Sequence, residues 1–182
     1  MSAAPQPVVT LPGATTRETR DGLRMARERL AAAFLERRGR GHGAHQFVRG
    51  LCSATDEALR TMWRAAGLPP ELTLLAVGGY GRGELFPGSD VDILILLPAA
   101  PYAELGALLE RFVGDLWDIG VELGHSVRTL EQCAEEAGRD ITIATALLEA
   151  RCIEGSRKLF NRFEREVRAG IDPQAFLVAK RL

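Results

Sequence analysis

The sequence predicts an α/β (α+β) fold, in which a small mixed sheet is accompanied by an N-terminal helical pair and by C-terminal helices. Helical periodicities come first, short β-type runs begin after Pro70, and helix-start signals return after the last of these runs. A chain of 182 residues is long enough for one domain with a hydrophobic core and a helical appendage. The expected segments are a flexible tail (1–14), a helical segment (15–70), a core (71–155) and the truncated start of a further helical region (156–182).

The N-terminal helical pair is predicted from apolar spacing. Thr15 and Glu18 have the spacing of a capping box, and apolar residues then recur every three or four positions towards a glycine cluster at 39–43. A second helix ends at the Gly67–Pro70 stretch. Its apolar face comprises Phe47, Leu51, Ala58, Met62 and Trp63.

Three strands are predicted after Pro70, over 72–77, 91–97 and 121–127. The second strand reads VDILILL, and its apolar run is typical of a strand that is buried on both faces. A helix over 102–117 connects the second and third strands.

Further helices are predicted from start signals in the C-terminal half. Thr129 and Gln132 form a second capping box, and helices are expected over 141–150 and 156–169. Asp172 and Pro173 are typical first residues of one more helix, which reaches Leu182 without a stop signal. We therefore expect the chain to be part of something longer.

Composition limits the function classes. The chain is 46% hydrophobic and 26% charged with a formal net charge of −1, so its overall charge does not favour nucleic-acid binding. Its three cysteines are scattered and lack CxxC spacing, so they are expected to be free thiols in a reducing compartment rather than a disulfide framework or a zinc site. No signal peptide is apparent, and the apolar run at 93–100 is too short for a membrane span. We expect a soluble, cytoplasmic protein without a membrane partner.

The segment AVGGYGRGELFPGSDVD, residues 76–92, combines a glycine turn with a pair of carboxylates. Gly78 and Gly79 end the first strand, where bare N–H groups can face an anion such as a triphosphate. Asp90 and Asp92 stand two residues apart at the head of the second strand, so both side chains are expected on one face. Two such carboxylates repel each other unless a cation lies between them, which favours Mg²⁺ and a nucleoside triphosphate.

Other phosphate-binding patterns fit less well. A dinucleotide fingerprint would need a glycine where Glu84 stands, and no GxxxxGK[ST] motif is present. Asp90 and Asp92 alone could be a solvated turn, but their spacing from the glycines favours a functional site.

A glycine pair followed about ten residues later by Asp-x-Asp resembles the signature of the DNA polymerase β-type nucleotidyltransferase superfamily. The stretch GGYGRGELFPGSDVDILIL is similar to the N-terminal domain of the bacterial bifunctional uridylyltransferase/uridylyl-removing enzymes, which modify the nitrogen regulatory protein PII. GVELGHSVRTLEQC and DITIATALLEARCIEG are similar to the same family. The resemblance extends over about residues 75–155.

The resemblance implies transfer of UMP from UTP to a tyrosine of PII, with release of pyrophosphate. Asp90 and Asp92 would ligate Mg²⁺, with Mn²⁺ as an alternative. The implied nucleotide-binding residues are Gly78, Gly79 and Ser89. Position within the glycine loop adds Arg82, and strand alternation adds Arg128. Longer relatives carry a hydrolase domain and glutamine-sensing domains, which are expected to be missing from this chain.

The superfamily normally adds a third carboxylate from a neighbouring strand. Glu122 is the predicted residue, because strand alternation would put it on one face with Gly124, Ser126 and Arg128; Asp118 and Asp140 are lesser candidates. His125 has the opposite parity and is predicted to be packed.

Two other functions are open at this stage. One is a nucleotidyltransferase with a different acceptor, such as RNA, an antibiotic or another protein. The other is a nucleotide-binding regulatory module whose catalysis has decayed, which loss of the third carboxylate would indicate.

Overall fold

Helices and strands alternate along the computed structural model, which describes residues 12–36, 43–100 and 103–171. The helices are α1 (Pro12–Glu36), α2 (Gly43–Ala66), α3 (Gly78–Gly81), α4 (Ala103–Asp118), α5 (Leu130–Arg139), α6 (Ile141–Leu148) and α7 (Arg157–Glu166), and a 3₁₀ turn covers Arg168–Gly170. The strands are β1 (Thr73–Ala76), β2 (Val91–Leu97), β3 (Leu123–Thr129) and β4 (Arg151–Gly155). The expectations for 1–11 and 172–182 lie outside the described residues.

The four strands form one mixed sheet in the order β3-β2-β1-β4. Strand β1 is antiparallel to both of its neighbours, whereas β2 and β3 are parallel. Helix α4 makes the crossover between the parallel pair, as such a connection requires. The predicted mixed sheet is confirmed.

Strand β2 is buried on both faces, as its apolar run predicts. Alternate residues contribute to two separate hydrophobic clusters. Val91, Ile93, Ile95 and Leu97 pack with residues of α1, α2 and α4. Leu94 and Leu96 pack on the opposite face with residues of α5, α6 and α7. The sheet is therefore a middle layer between two groups of helices.

The N-terminal helical pair packs through aromatic and apolar side chains. The Phe34 and Phe47 rings stack with centroids 4.9 Å apart, which joins α1 to α2. Trp63 of α2 meets Phe112 of α4 edge to face at 5.4 Å. These contacts bury the apolar faces of both α2 and α4 on one side of the sheet.

Two predicted helix starts have different outcomes. The capping box at Thr129 is confirmed: the Thr129 hydroxyl accepts from the Gln132 N–H, and the Gln132 side chain accepts from the Thr129 N–H. The capping box at Thr15 is wrong, because α1 already begins at Pro12 and Thr15 lies inside the helix. Spacing alone cannot distinguish a cap from an interior position on a helix that starts earlier.

Several predicted bounds also differ. Strand β1 is shorter than the predicted 72–77, and β3 begins at Leu123 rather than at 121. Helix α6 ends at Leu148, two residues before the predicted end at 150, because a strand absent from the sequence prediction follows it. That strand, β4, reads RCIEG and has no clear alternation, so only its pairing with β1 identifies it. No helix in the described parts of the chain has the length and apolar character needed to span a membrane.

Strand β4 ends in a close approach to β1 that requires glycine. Gly155 has φ +97°, and a Cβ there would overlap the Leu72 carbonyl oxygen. The Ser156 N–H donates to that same oxygen at 2.8 Å, which holds the two backbones together. An L-residue at 155 would be strained both by its φ and by the contact.

We predict that Gly155→Ala lowers the free energy of unfolding by about 1–3 kcal/mol, the usual cost of such strain. Urea unfolding followed by circular dichroism measures this. Gly114→Ala is the control, because Gly114 lies within α4 and a Cβ added there would meet open space. That control should gain up to about 1 kcal/mol from helix propensity. Equal changes in the two variants would contradict a specific close approach at Gly155.

Candidate active site

The glycine turn begins where β1 ends. Val77 is extended, and Gly78 then takes φ +57°, a left-handed conformation that glycine adopts without a steric cost. The Gly81 N–H donates to the Val77 carbonyl at 2.9 Å, which closes the first turn of α3. The N–H groups of the first residues of a helix have no acceptor within it, so those of Gly78 and Gly79 are available to an anion.

Asp92 faces this turn. Its carbonyl accepts from the Val77 N–H at 3.0 Å, which fixes β2 against the end of β1. An ideal Cβ built on Gly78 would lie 3.6 Å from Asp92 Oδ2. The glycine turn and the second aspartate of the Asp-x-Asp pair are therefore in direct proximity.

Asp90 immediately precedes β2 and is exposed. Burial, and then the nearby charge of Asp90, raise the pKa of Asp92. The raised pKa means that ionised Asp92 is disfavoured in the folded protein unless a cation compensates it. The two carboxylates are thus close enough to interact electrostatically at the edge of the glycine turn.

Strand β3 supplies a third backbone to this site. Gly124 is in register with Asp92, and a Cβ at Gly124 would overlap Asp92 Oδ1. Ser126 and Arg128 follow on the same face, in register with Leu94 and Leu96. Arg128 lies roughly 13 Å farther along the strand than Gly124, four residues at about 3.3 Å each. Only a long, extended side chain could bring its charge towards Asp92.

Glu122 lies elsewhere than predicted. Strand β3 begins at Leu123, so the assignment of Glu122 to the strand is wrong, although its carbonyl still accepts from the Val91 N–H at 2.8 Å. Its side chain lines a cavity of about 300 Å³ together with Arg27, Leu51 and Phe86. Ser89 and Val91 line the same cavity, so Glu122 lies near the loop that precedes Asp90 as well as near α1 and α2. Gly124, rather than Glu122, is in register with Asp92, and the role of Glu122 as the third carboxylate stays a prediction.

The lesser carboxylate candidates have other positions. Asp140 caps α6, since its side chain accepts from the Thr142 N–H at 2.7 Å, and this bond lowers the pKa of Asp140. Asp118 is the last residue of α4. Within the described residues, no group of three or more histidine, cysteine, aspartate or glutamate side chains could hold a metal ion.

Two predicted phosphate ligands are engaged in local bonds. Arg82 forms ion pairs with Glu149 at 2.6 Å and with Glu84 at 3.1 Å, and its guanidinium is about half exposed. These hydrogen bonds, first with Glu149 and then with Glu84, raise the pKa of Arg82. The Ser89 hydroxyl donates to the Phe86 carbonyl at 2.8 Å and closes the loop before Asp90.

His125 is exposed rather than packed, so that prediction is wrong. Strand β3 is an edge of the sheet, and the His125 ring meets the exposed Trp117 ring edge to face at 6.1 Å. Strand alternation gives the face on which a side chain lies, but it does not show whether other elements cover that face at the edge of the sheet.

Three residues that support the glycine turn were missed by the sequence analysis. Asp56 of α2, Tyr80 of α3 and Arg151 of β4 form a hydrogen-bonded cluster directly behind the turn. Tyr80 lies within the GGYG segment, so an aromatic residue among glycines was the available signal. Asp56 and Arg151 are 95 positions apart, and no local pattern connects them.

Comparisons with known proteins identify relatives of this sequence. Residues 56–142 match the family described as "Nucleotidyltransferase domain". The chain is 56% identical over 133 residues to the bifunctional uridylyltransferase/uridylyl-removing enzymes of Burkholderia mallei (strain SAVP1), Burkholderia pseudomallei (strain 668) and Burkholderia thailandensis. The alignment covers 73% of this chain but 16% of each relative, so the match concerns one part of a much longer protein.

The mixed four-stranded sheet is also consistent with the polymerase β-type fold that the resemblance implies. Residues 56–142 therefore form a domain of the nucleotidyltransferase family, and most of the chain is similar to one part of the bifunctional uridylyltransferase/uridylyl-removing enzymes.

Proposed function

We propose that this chain is the catalytic part of a uridylyltransferase that transfers UMP from UTP to a tyrosine hydroxyl of PII. The observation that carries the proposal is the approach of Asp92 to the glycine turn, at 3.6 Å from the Cβ position of Gly78. A triphosphate bound at the turn would lie beside the carboxylates. The name of the relatives supports uridylyl transfer as the reaction.

The donor set fits Mg²⁺. Magnesium is commonly held by one or two carboxylates together with phosphate oxygens and water, and Asp90 and Asp92 supply two carboxylates. The raised pKa of Asp92 fits a site that a cation completes. When bound, Mg²⁺ or Mn²⁺ would stabilise negative charge on the phosphate oxygens.

The protein's own groups would bind and orient the nucleotide. The N–H groups of Gly78 and Gly79 would hold the triphosphate as hydrogen-bond donors. The tyrosine oxygen of the acceptor would attack the α-phosphorus in line, and the bond from that phosphorus to the pyrophosphate oxygen would break. The hydroxyl proton would pass to solvent water, and pyrophosphate would leave with the electron pair of the broken bond.

Arg82, Ser89 and Arg128 are proposed to assist at the phosphate chain. Arg82 would have to exchange a carboxylate partner for a phosphate, which its exposure allows. The Ser89 hydroxyl would keep the loop before Asp90 in shape. The net charge of −1 supports a protein acceptor rather than a nucleic acid, and a cytoplasmic location would give access to UTP and PII.

A specific observation favours one competing function. Gly124 occupies the position on β3 that faces Asp92, so the neighbouring strand brings no carboxylate there. A nucleotide-binding regulatory module without transfer activity would have such a two-carboxylate site. Uridylyl transfer by this chain would instead show that two aspartates are enough carboxylates for catalysis.

The decisive experiment is transfer of labelled nucleotide onto purified PII with Mg²⁺, using UTP and ATP in parallel. Labelling from UTP alone supports uridylyl transfer. Binding of UTP in calorimetry without labelling, also in the full-length protein, would favour the regulatory module. Labelling of a different acceptor but not of PII would support nucleotidyl transfer and reject PII as the acceptor.

We predict that Asp92→Asn abolishes Mg²⁺-dependent UTP turnover and leaves the fold intact, because only a charge is removed. In the presence of a metal chelator, the melting temperature of Asp92→Asn should equal or exceed that of the wild type. The raised pKa of Asp92 means that the folded protein disfavours the ionised carboxylate, which the variant lacks. Mg²⁺ with UTP should raise the melting temperature of the wild type but not that of Asp92→Asn. Asp21→Asn, at an exposed position on α1, should behave as wild type. Normal turnover in Asp92→Asn would reject the metal site.

We predict that Gly124→Ala lowers turnover by on the order of a hundredfold, because its methyl group displaces the Asp92 carboxylate and misaligned groups cost about that much. Mn²⁺ binding, followed by electron paramagnetic resonance, should weaken in the same variant. Gly106→Ala, which adds a methyl group in open space on α4, is the control. Unaltered Mn²⁺ affinity in Gly124→Ala would mean that Asp92 does not hold the metal in this orientation.

Glu122→Gln tests the third-carboxylate hypothesis. Since Glu122 interacts with Arg27 and it is Gly124 that is in register with Asp92, we expect less than about a threefold change in turnover, as for an exposed charge. Steady-state kinetics with UTP measures it. A strong loss of turnover with unchanged UTP affinity would restore Glu122 as the third carboxylate.

A further inference from the structure

A buried charged cluster lies behind the glycine turn. Asp56 of α2 is 7% exposed, and its carboxylate accepts from the Tyr80 hydroxyl at 2.6 Å. Arg151 of β4 donates to both oxygens of the same carboxylate, at 2.6 and 3.0 Å. A bidentate pair of this kind fixes the relative orientation of its two planar groups. The cluster thereby joins α2, α3 and β4.

Arg151 also contacts the turn itself. Its Nη2 donates to the backbone carbonyl of Tyr80 at 3.3 Å, and its guanidinium carbon lies 5.5 Å from the centre of the Tyr80 ring. Tyr80 is therefore bonded through its hydroxyl, its ring face and its backbone. Burial, and then the Asp56 charge, raise the pKa of Tyr80, so its hydroxyl stays protonated and remains a donor.

The opposite side of the turn is held by backbone. A Cβ at Gly81 would overlap the Glu149 carbonyl oxygen and would lie 3.1 Å from the Ala76 carbonyl oxygen. The turn thus fits between the end of α6 on one side and the Asp56–Arg151 pair on the other. Little freedom is left for the orientation of the Gly78 and Gly79 N–H groups.

A buried ion pair such as Asp56–Arg151 is not explained by its contribution to the stability of the fold. Buried ion pairs lose their hydration, and apolar residues of similar volume often stabilise a fold as well or better. Arg151 Nε is buried without a hydrogen-bond partner within the described structure, which adds a further cost. A polar cluster that is costly to bury and contacts the turn at three points indicates a role in orientation.

We propose that Asp56 and Arg151 are positioning residues, which act through Tyr80 to orient the glycine turn for triphosphate binding. This inference rests on the proposed function. Neither side chain needs to touch the nucleotide. The proposed metal ligands, Asp92 on β2 and Asp90 immediately before it, lie outside the cluster. Disruption of the cluster should therefore weaken nucleotide binding and leave metal binding unchanged.

The test compares Tyr80→Phe with the wild type. Arg151→Met would remove the closer cationic partner of buried Asp56, leaving only the Arg60 contact at 3.5 Å, and would endanger folding. Tyr80→Phe removes a single hydroxyl and keeps the ring. We expect Tyr80→Phe to raise the Kd of UTP in the presence of Mg²⁺ by about threefold to tenfold, the effect of one lost hydrogen bond. The Kd of Mn²⁺ measured without nucleotide should remain unchanged.

Thr73→Val is the matched control. It removes another buried hydrogen bond, from the Thr73 hydroxyl to the Ser156 carbonyl at 2.9 Å, at the start of β1 and away from the turn. It should lower the melting temperature and leave the Kd of UTP unchanged. Equal weakening of UTP binding by both variants would reduce the cluster to a structural role and overturn the proposal.

The remaining outcomes are distinguishable. Unchanged UTP affinity in Tyr80→Phe, with UTP binding by the wild type, overturns the positioning role and leaves the proposed function standing. Parallel weakening of UTP and Mn²⁺ binding also overturns it, because the cluster would then act on the whole site. A wild-type protein that binds neither UTP nor ATP overturns both proposals.

Discussion

The carboxylate of Asp92 lies against two neighbouring backbones, and this close approach constrains the rest of the site. On one side is Gly78 and on the other is Gly124, where a methyl group would overlap the carboxylate. Both neighbours must therefore be small, and Gly78 must also adopt a positive φ. The position of Asp92 follows from the register of β2 with β1 and β3, so a shift of one residue would turn it to the opposite face.

That register is held by the two hydrophobic clusters. Residues of β2 alternate between them, and slippage would place its aspartate in one of the apolar layers. An ionised carboxylate is costly to bury without a partner, which opposes such a slip. The same apolar strand thus provides the stability of the fold and the accuracy of the site.

Charge near the glycine turn is largely paired within the protein. Arg82 is bonded to two glutamates, and Arg151 to Asp56, so the turn is surrounded by cations that already have partners. The buried pair is difficult to exchange because it is desolvated, whereas the exposed pair of Arg82 can change partner at little cost. One ion pair is therefore suited to hold the turn in place and the other to respond to a bound phosphate.

The sequence by itself determined the mixed sheet, the helical pair and the doubly buried strand, because each depends on local spacing. The same spacing predicts a phosphate and metal site at the glycine turn with Asp90 and Asp92. Gly124 was placed correctly on a face by strand alternation, but its contact with Asp92 required the parallel register. Only the tertiary structure decided the positions of Glu122, β4 and the Asp56–Arg151 pair. These depend on contacts between distant segments, since a carboxylate that follows a loop obeys no strand parity, and a pair 95 positions apart leaves no periodic trace in the sequence.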